Sequence, residues 1–187
     1  MTNAFDVYFY QLINQDLSSP VLDFLMVKFS DKFFWIPFYC VIIWMLSRQY
    51  KQKTLLILLC LGLSVLASDR ITSGVMKPYF ERVRPCHEAA LKPRLPEGIY
   101  CSDTGSMASS HAANHFAVAV FMLLLYGLSR KGNVAFWLIW ASAVAYSRVY
   151  CGVHYPTDVL VGALTGAAMG AATYWIYLKS ESRIQWK

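Results

Sequence analysis

Charge is scarce in this chain. Asp, Glu, Lys and Arg make up 15% of its 187 residues, against about 25% in soluble domains. Apolar residues make up 57%, so a soluble fold would have too few polar side chains to cover itself. Acid is scarcer than base: 11 Asp and Glu face 17 Lys and Arg, a net charge of +6. The bases form no long run. Several sit in short gaps between apolar stretches and no nucleic-acid motif is present, so the excess points to lipid and not to RNA or DNA. The N-terminus, MTNAFDVYFYQLINQDLSSP, lacks a basic leader and is interrupted by Asp6, so no signal peptide is expected. There is no CxxC among the five cysteines. Cys40, Cys60 and Cys151 read as packing residues. Cys86 and Cys101 bracket a polar loop and could pair in an oxidising compartment, which their spacing leaves open.

What the chain does have is long apolar runs. Five of them cover 33–47, 54–68, 112–129, 132–147 and 159–178. A spanning helix needs about 20 residues, so the shorter runs must continue into their flanks. The fold class expected is all-α, an integral membrane helical bundle with about five transmembrane helices. The whole chain, 1–187, reads as one membrane-embedded domain. Residues 1–31 are expected as amphipathic interfacial helices. Phe5, Tyr8, Phe9, Leu12 and Ile13 recur at helical spacing there, and Ser19-Pro20 marks the start of a second helix. Residues 32–179 are expected to form the bundle, with a polar extracytoplasmic loop at 77–111, and 180–187 a cytoplasmic tail. Gly162, Gly166 and Gly170 stand four apart, a face for close helix packing. Basic gaps at Arg48, Lys51 and Lys53, at Arg130 and Lys131, and at Lys179, Arg183 and Lys187 put those regions in the cytoplasm. The 77–111 loop and the 148–156 turn then share the outer face.

That outer face is itself basic, which needs another cause. Three segments meet there: KPYFERVRP (77–85), ASSH (108–111) and SRVYCGVHYPTD (147–158). Lys77, Arg84 and Arg148 supply cations, and Ser109 and Ser110 supply hydroxyls and N–H groups at a helix start. Such a pocket suits a phosphate. His154 precedes Pro156, the expected first residue of the last helix. Asp158 falls in its first turn, where it can hold one ring nitrogen of His154 and leave the other for phosphorus. His111 is placed to act as the acid.

The spacing Lys77–Arg84–Pro85, Ser109–His111 and Ser147–Arg148–His154–Asp158 resembles the three-part signature of the type 2 phosphatidic acid phosphatase family. The first and third parts match fully. In the second, Ala108 replaces Pro and Ser110 replaces Gly. The resemblance implies a metal-independent lipid phosphatase. His154 would form a phosphohistidine, Asp158 would orient it, and His111 would protonate the leaving group. Lys77, Arg84, Ser109, Ser110 and Arg148 would hold the phosphoryl oxygens, with no cofactor. Candidate substrates are undecaprenyl pyrophosphate, phosphatidylglycerol phosphate, phosphatidic acid and lipid A 1-phosphate. The expected location is a bacterial inner membrane, with the site facing the periplasm or exterior. Alternatives are a lipid phosphotransferase with the same residues, or a non-catalytic phospholipid-binding or transport protein, for which a nucleophile is superfluous. A zinc site from His111, His115, His87, Asp103 and His154 would leave three cations crowding a fourth. Asp69 and Arg70 read either as bundle residues near the site or as headgroup contacts. His115 reads as packing one turn deeper, and His87, Glu88, Lys92 and Arg94 as solvated loop residues.

Overall fold

The structure, a computed structural model, describes residues 3–128 and 131–184. Arg130 and Lys187, two of the residues used for orientation, lie outside these. Among the described residues the architecture is helical, with no strand. Helix α1 (Ala4–Gln11) is capped by Asn3, whose side chain accepts from Asp6 N at 2.7 Å, and runs into a wider turn at Leu12–Asp16. Helix α2 (Pro20–Ser30) starts as the sequence predicts, with Ser19 accepting from Leu22 N at 3.3 Å and Pro at the first position. Helix α3 (Ile36–Tyr50) stops at Lys51, whose φ of 47° no helix can continue. Helix α4 (Thr54–Asp69) follows after a short turn.

The apolar run that ends at Ser68 does not end the helix. Winding continues through Arg70–Met76 into α5 (Lys77–Phe80), until Glu81 turns left-handed. Polar side chains are tolerated there because they bond back to the helix: Thr72 Oγ1 donates to Ser68 O at 2.8 Å. Helices α6 (Ser110–Tyr126), α7 (Lys131–Tyr150) and α8 (Pro156–Glu181) complete the bundle.

Contacts fix the helix directions. Lys53 pairs with Glu181, and Tyr50 donates to Leu125 O at 3.4 Å, so one end of the bundle gathers the starts of α4 and the ends of α3, α6 and α8. At the other end, Thr72 and Ser73 meet Ser110 and Tyr39 meets His115. Helices α3, α6 and α8 therefore run one way and α4 and α7 the other. Two helical stretches, Ile36–His87 and Pro156–Glu181, are long and apolar enough to cross a membrane; Ser110–Tyr126 is apolar but shorter. The expected count of five is not reached on these criteria alone. Large apolar side chains such as Trp44, Leu55, Leu59, Ile139, Leu164 and Trp175 point outward and are more than half exposed, a surface suited to lipid.

The tightest contact is α6 on α8. A Cβ on Gly166 would lie 2.0 Å from Ala113 O, and Cβ atoms on Gly162 and Gly170 would lie 2.4 Å from Ser109 O and Ala117 O. The glycine stripe thus brings the two helix starts together at one end. The N-terminal helices behave in part as expected. Phe5 and Tyr8 are exposed, but Asp6 and Asn14 are fully buried and face the protein. Asn14 donates to Arg94 O and Tyr150 O, both at 2.7 Å, and accepts from Arg94 N at 2.9 Å. Gly152 (φ 78°) fits beneath it, where a Cβ would meet Arg94 O at 2.7 Å.

Gly166→Ala is expected to cost about 1–3 kcal/mol through overpacking, read as a lower thermal midpoint in detergent. Gly132→Ala, where an added Cβ meets nothing within 4 Å, should leave the midpoint unchanged. Equal midpoints for both variants would refute the close α6–α8 contact.

Candidate active site

The turn between α7 and α8 sets the nucleophile's position. Pro156 opens α8, and Asp158 closes a capping box in which its Oδ2 accepts Tyr155 N at 2.8 Å. The same Oδ2 lies 3.6 Å from His154 Nδ1. That is longer than a hydrogen bond, and apo catalytic contacts often are. His154 is 2% exposed. Its Nε2 lies 3.3 Å from Arg84 Nη1. A guanidinium can only donate, so Nε2 presents its lone pair and Nδ1 carries the ring proton toward Asp158. Burial, with the charges of Arg84 and Arg148, outweighs Asp158 and pushes the His154 pKa down to about 4. At neutral pH His154 is therefore an uncharged imidazole.

Arg84 is 5% exposed and held on three sides. Nε donates to Thr104 O at 2.8 Å, Nη1 to Val153 O at 3.0 Å, and Nη2 to Gly105 O at 3.3 Å. The 86–107 loop thus aims the guanidinium at His154. Cys86 and Cys101 close that loop in a disulfide, which settles the question their spacing left open. Arg94 pairs with Asp23 and donates to Tyr150 Oη at 3.2 Å, which ties the loop to α2 and α7. Arg94 is therefore structural and not a solvated loop residue.

The other predicted residues gather here. Ser109 is fully buried. Its N donates to Asp158 O at 2.9 Å, and its Oγ accepts from Ala112 N at 3.5 Å as the cap of α6. Both groups serve the fold. Ser110 Oγ lies 2.9 Å from Thr72 Oγ1 and from Ser73 Oγ, which joins α6 to the end of the long α4 helix. His111 lies within electrostatic reach of Arg148, His154 and Lys77. Lys77 lies within reach of Arg84, Asp69, Arg148 and Asp158. Arg148 donates from Nη1 to Ser30 Oγ, which fastens α7 to α2. His115 packs 5.0 Å from the Trp140 ring, with Nε2 3.4 Å from Tyr39 Oη, one turn below His111 as expected. Arg70 is exposed, whereas Asp69 is half-buried and lines a cavity with His111.

Two cavities flank these residues. A polar one of ≈ 570 Å³ is lined by Lys77, Arg82, Arg84, His87 and Thr104. An apolar one of ≈ 700 Å³ lies between α3, α4 and α6, walled by Tyr39, Leu58, Leu61, Val65 and Leu66, with His111, Asp69 and Lys32 among its polar lining. Sequence reasoning missed Arg82. It donates from Nη1 to Asp158 Oδ1 at 2.7 Å and from Nη2 to Asp6 Oδ2 at 2.6 Å. It also missed that Asp6 turns inward. Arg82 is one of the unspecified positions in the first motif, and Asp6 lies 76 residues away in the chain, so no spacing links them. Among the described residues, the cluster able to hold a metal is Cys86, His87 and Cys101, whose sulfurs the disulfide occupies. The zinc set considered from the sequence does not assemble there.

Residues 53–182 match the PAP2 superfamily. The lipid A 4'-phosphatase of Bacteroides thetaiotaomicron is 29% identical over 90% of this chain and 76% of its own length. That of Porphyromonas gingivalis is 31% identical over 88% and 70%. The crystal structure of Aquifex aeolicus LpxE superposes with a TM-score of 0.71 at 26% identity, covering 95% of this chain and 96% of that one. A phosphatidylglycerolphosphate phosphatase of the same type from Bacillus subtilis gives 0.65 at 25% identity, covering 98% and 89%.

Arg84→Lys keeps the charge and loses the fork. It is expected to lower kcat/KM by about 10²-fold, measured as phosphate release in detergent. An unchanged rate would show that Arg84 is not part of the site.

Proposed function

The chain belongs to the PAP2 superfamily and is a membrane-bound phosphatase; from that premise we propose that it hydrolyses a phosphate monoester of a multiply acylated membrane lipid through a phosphohistidine at His154. One observation carries this reading: a buried imidazole presents Nε2 to the Arg84 guanidinium, with Nδ1 turned toward Asp158. The Nε2 lone pair attacks phosphorus as the P–O bond to the lipid breaks. His111 gives its proton to the departing alkoxide. An arriving phosphate dianion favours the protonated form of His111. The phosphorylated ring keeps its Nδ1 proton and becomes cationic, and Asp158 closes on it. His111, now neutral, takes a proton from water. The hydroxide displaces His154 from phosphorus, and inorganic phosphate leaves.

Lys77, Arg84 and Arg148 are proposed to hold the phosphoryl oxygens, and Ser109 and Ser110 to shape the start of α6 beside them. The acyl chains are proposed to enter the apolar cavity between α3 and α4, which reaches His111. Helices α3, α4, α6, α7 and α8 are read as five spans within a single domain. The disulfide beside the site supports an oxidising, outward-facing side. Arg48, Lys51, Lys53 and Lys179 at the other end support a cytoplasmic one.

Among substrates, the 4'-phosphate of lipid A is preferred, because the lipid A 4'-phosphatases match most of this chain. It joins the lipids named from the sequence. A panel of lipid A, phosphatidylglycerol phosphate, phosphatidic acid and undecaprenyl pyrophosphate, assayed in detergent with EDTA, tests this. Lipid A should give the highest kcat/KM and lose its 4'-phosphate, with inorganic phosphate as product. His154→Ala should abolish turnover. A tenfold preference for undecaprenyl pyrophosphate would overturn the substrate assignment, and an active His154→Ala the mechanism.

A further inference from the structure

The orienting carboxylate has a partner that belongs to neither the nucleophile nor the phosphate pocket. Asp158 is fully buried, and Arg82 reaches its Oδ1 at 2.7 Å. Arg82 is in turn held at several points. Its guanidinium stacks 4.1 Å from the Tyr155 ring, Nη1 also donates to Thr157 Oγ1 at 2.8 Å, and Nη2 donates to Asp6 Oδ2 at 2.6 Å. Asp6 is fully buried on the first turns of α1. Its Oδ1 accepts Thr157 N at 2.9 Å and its Oδ2 accepts Thr157 Oγ1 at 2.6 Å. A chain of charges thus runs Asp6–Arg82–Asp158–His154, from the first helix to the nucleophile. Asp6 lies outside residues 53–182 that match the family.

We propose that Arg82 and Asp6 are positioning residues for the reaction: Asp6 anchors Arg82, and Arg82 fixes the rotation of the Asp158 carboxylate so that Oδ2 faces His154. The reason is competition. Asp158 stands within electrostatic reach of Lys77 and Arg84, the cations assigned to phosphate. A carboxylate free to turn toward them would neutralise the pocket and abandon the ring. Two directed bonds, one to each oxygen, from Arg82 and from Tyr155 N, remove that freedom. The first helix is thereby part of the catalytic framework. This rests on the reading of His154 as nucleophile and Asp158 as its orienting group.

The test compares Arg82→Gln, Arg82→Lys and Asp6→Asn with the parent and with His154→Ala, all on one lipid phosphate. Arg82→Gln should lower kcat by about 10²-fold and leave KM within about threefold. Asp6→Asn should lower kcat by roughly tenfold, and Arg82→Lys should recover part of the loss. Inhibition by inorganic vanadate should be unaffected, because the phosphate pocket is intact. The acid limb of kcat/KM gives an independent readout. Arg84, Arg148 of α7, His111 of α6 and Asp158 of α8 bear on His154, and its pKa stands at about 4. Without Arg82 the carboxylate turns from the ring, which loses the group that raises its pKa, so the limb should move to lower pH. A limb moved to higher pH would show that Asp158 stays on the ring without Arg82 and would overturn the proposal. A raised KM with weaker vanadate inhibition would overturn the proposal, because Arg82 also lines the polar cavity and would then be a substrate ligand. Parental kcat in Asp6→Asn would overturn the anchor, and it remains decisive should Arg82→Gln fail to fold. An active His154→Ala would remove the reading beneath the proposal; an inactive one beside a parental Arg82→Gln would refute the proposal alone.

Discussion

The site depends on one buried carboxylate. Asp158 is asked to cap a helix, to neutralise an arginine and to face an imidazole, and its two oxygens divide the work. Oδ2 takes the Tyr155 N–H and looks toward His154, while Oδ1 takes Arg82. Its backbone carbonyl accepts the N–H of Ser109 and so connects to the start of α6. A charge this deep is tolerable only when bonded in this way. Removing one partner of a buried ion pair typically costs about 3–5 kcal/mol. The same bonds that make Asp158 tolerable therefore leave it little choice of orientation.

Packing delivers the second histidine to the first. The glycine stripe on α8 lets Ser109, Ala113 and Ala117 approach backbone to backbone, which sets the start of α6 beside the start of α8. His111 and Asp158 come from those two starts. The long α4 helix then reaches Ser110 through Thr72 and Ser73. Behind this junction the bundle core is apolar, built on Ile57, Phe121, Met122 and Trp140. In front of it the 86–107 loop, stapled between Cys86 and Cys101, presents Thr104 O and Gly105 O from beyond the staple to Arg84. A polar cavity and an apolar cavity meet the site from different directions, as a lipid phosphate requires: one end wants cations and the other wants none.

Much of this was legible in the sequence because the relevant signals are local. Periodicity and length gave the helices, Ser19-Pro20 a helix start, and the spacing of Gly162, Gly166 and Gly170 a packing face. The signature residues could be read because each motif lies within a dozen positions. Asp158 in the first turn after Pro156 is a local consequence of helix capping. What escaped was non-local. Asp6 looked like a polar interruption of an interfacial helix, and nothing in its neighbours reveals a partner 76 residues on. Arg82 sits two residues from the motif arginine, and residue type alone does not say which of the two meets His154 and which meets Asp158. The continuation of α4 past Ser68 was hidden for a related reason. Asp69 and Arg70 read either as bundle residues or as headgroup contacts, yet the helix winds on past them and Thr72 satisfies its hydroxyl on that same helix.

The central claim is that Nε2 of a neutral His154 attacks phosphorus and carries the phosphoryl group. A single-turnover reaction with lipid A bearing ³²P at the 4'-position, quenched in alkali to preserve a phosphoramidate and mapped by peptide mass spectrometry, tests it most directly. The account predicts transient label on the peptide containing His154 and none in a His154→Asn variant. Label on another residue, or rapid turnover with no labelled protein at any time point, would contradict it.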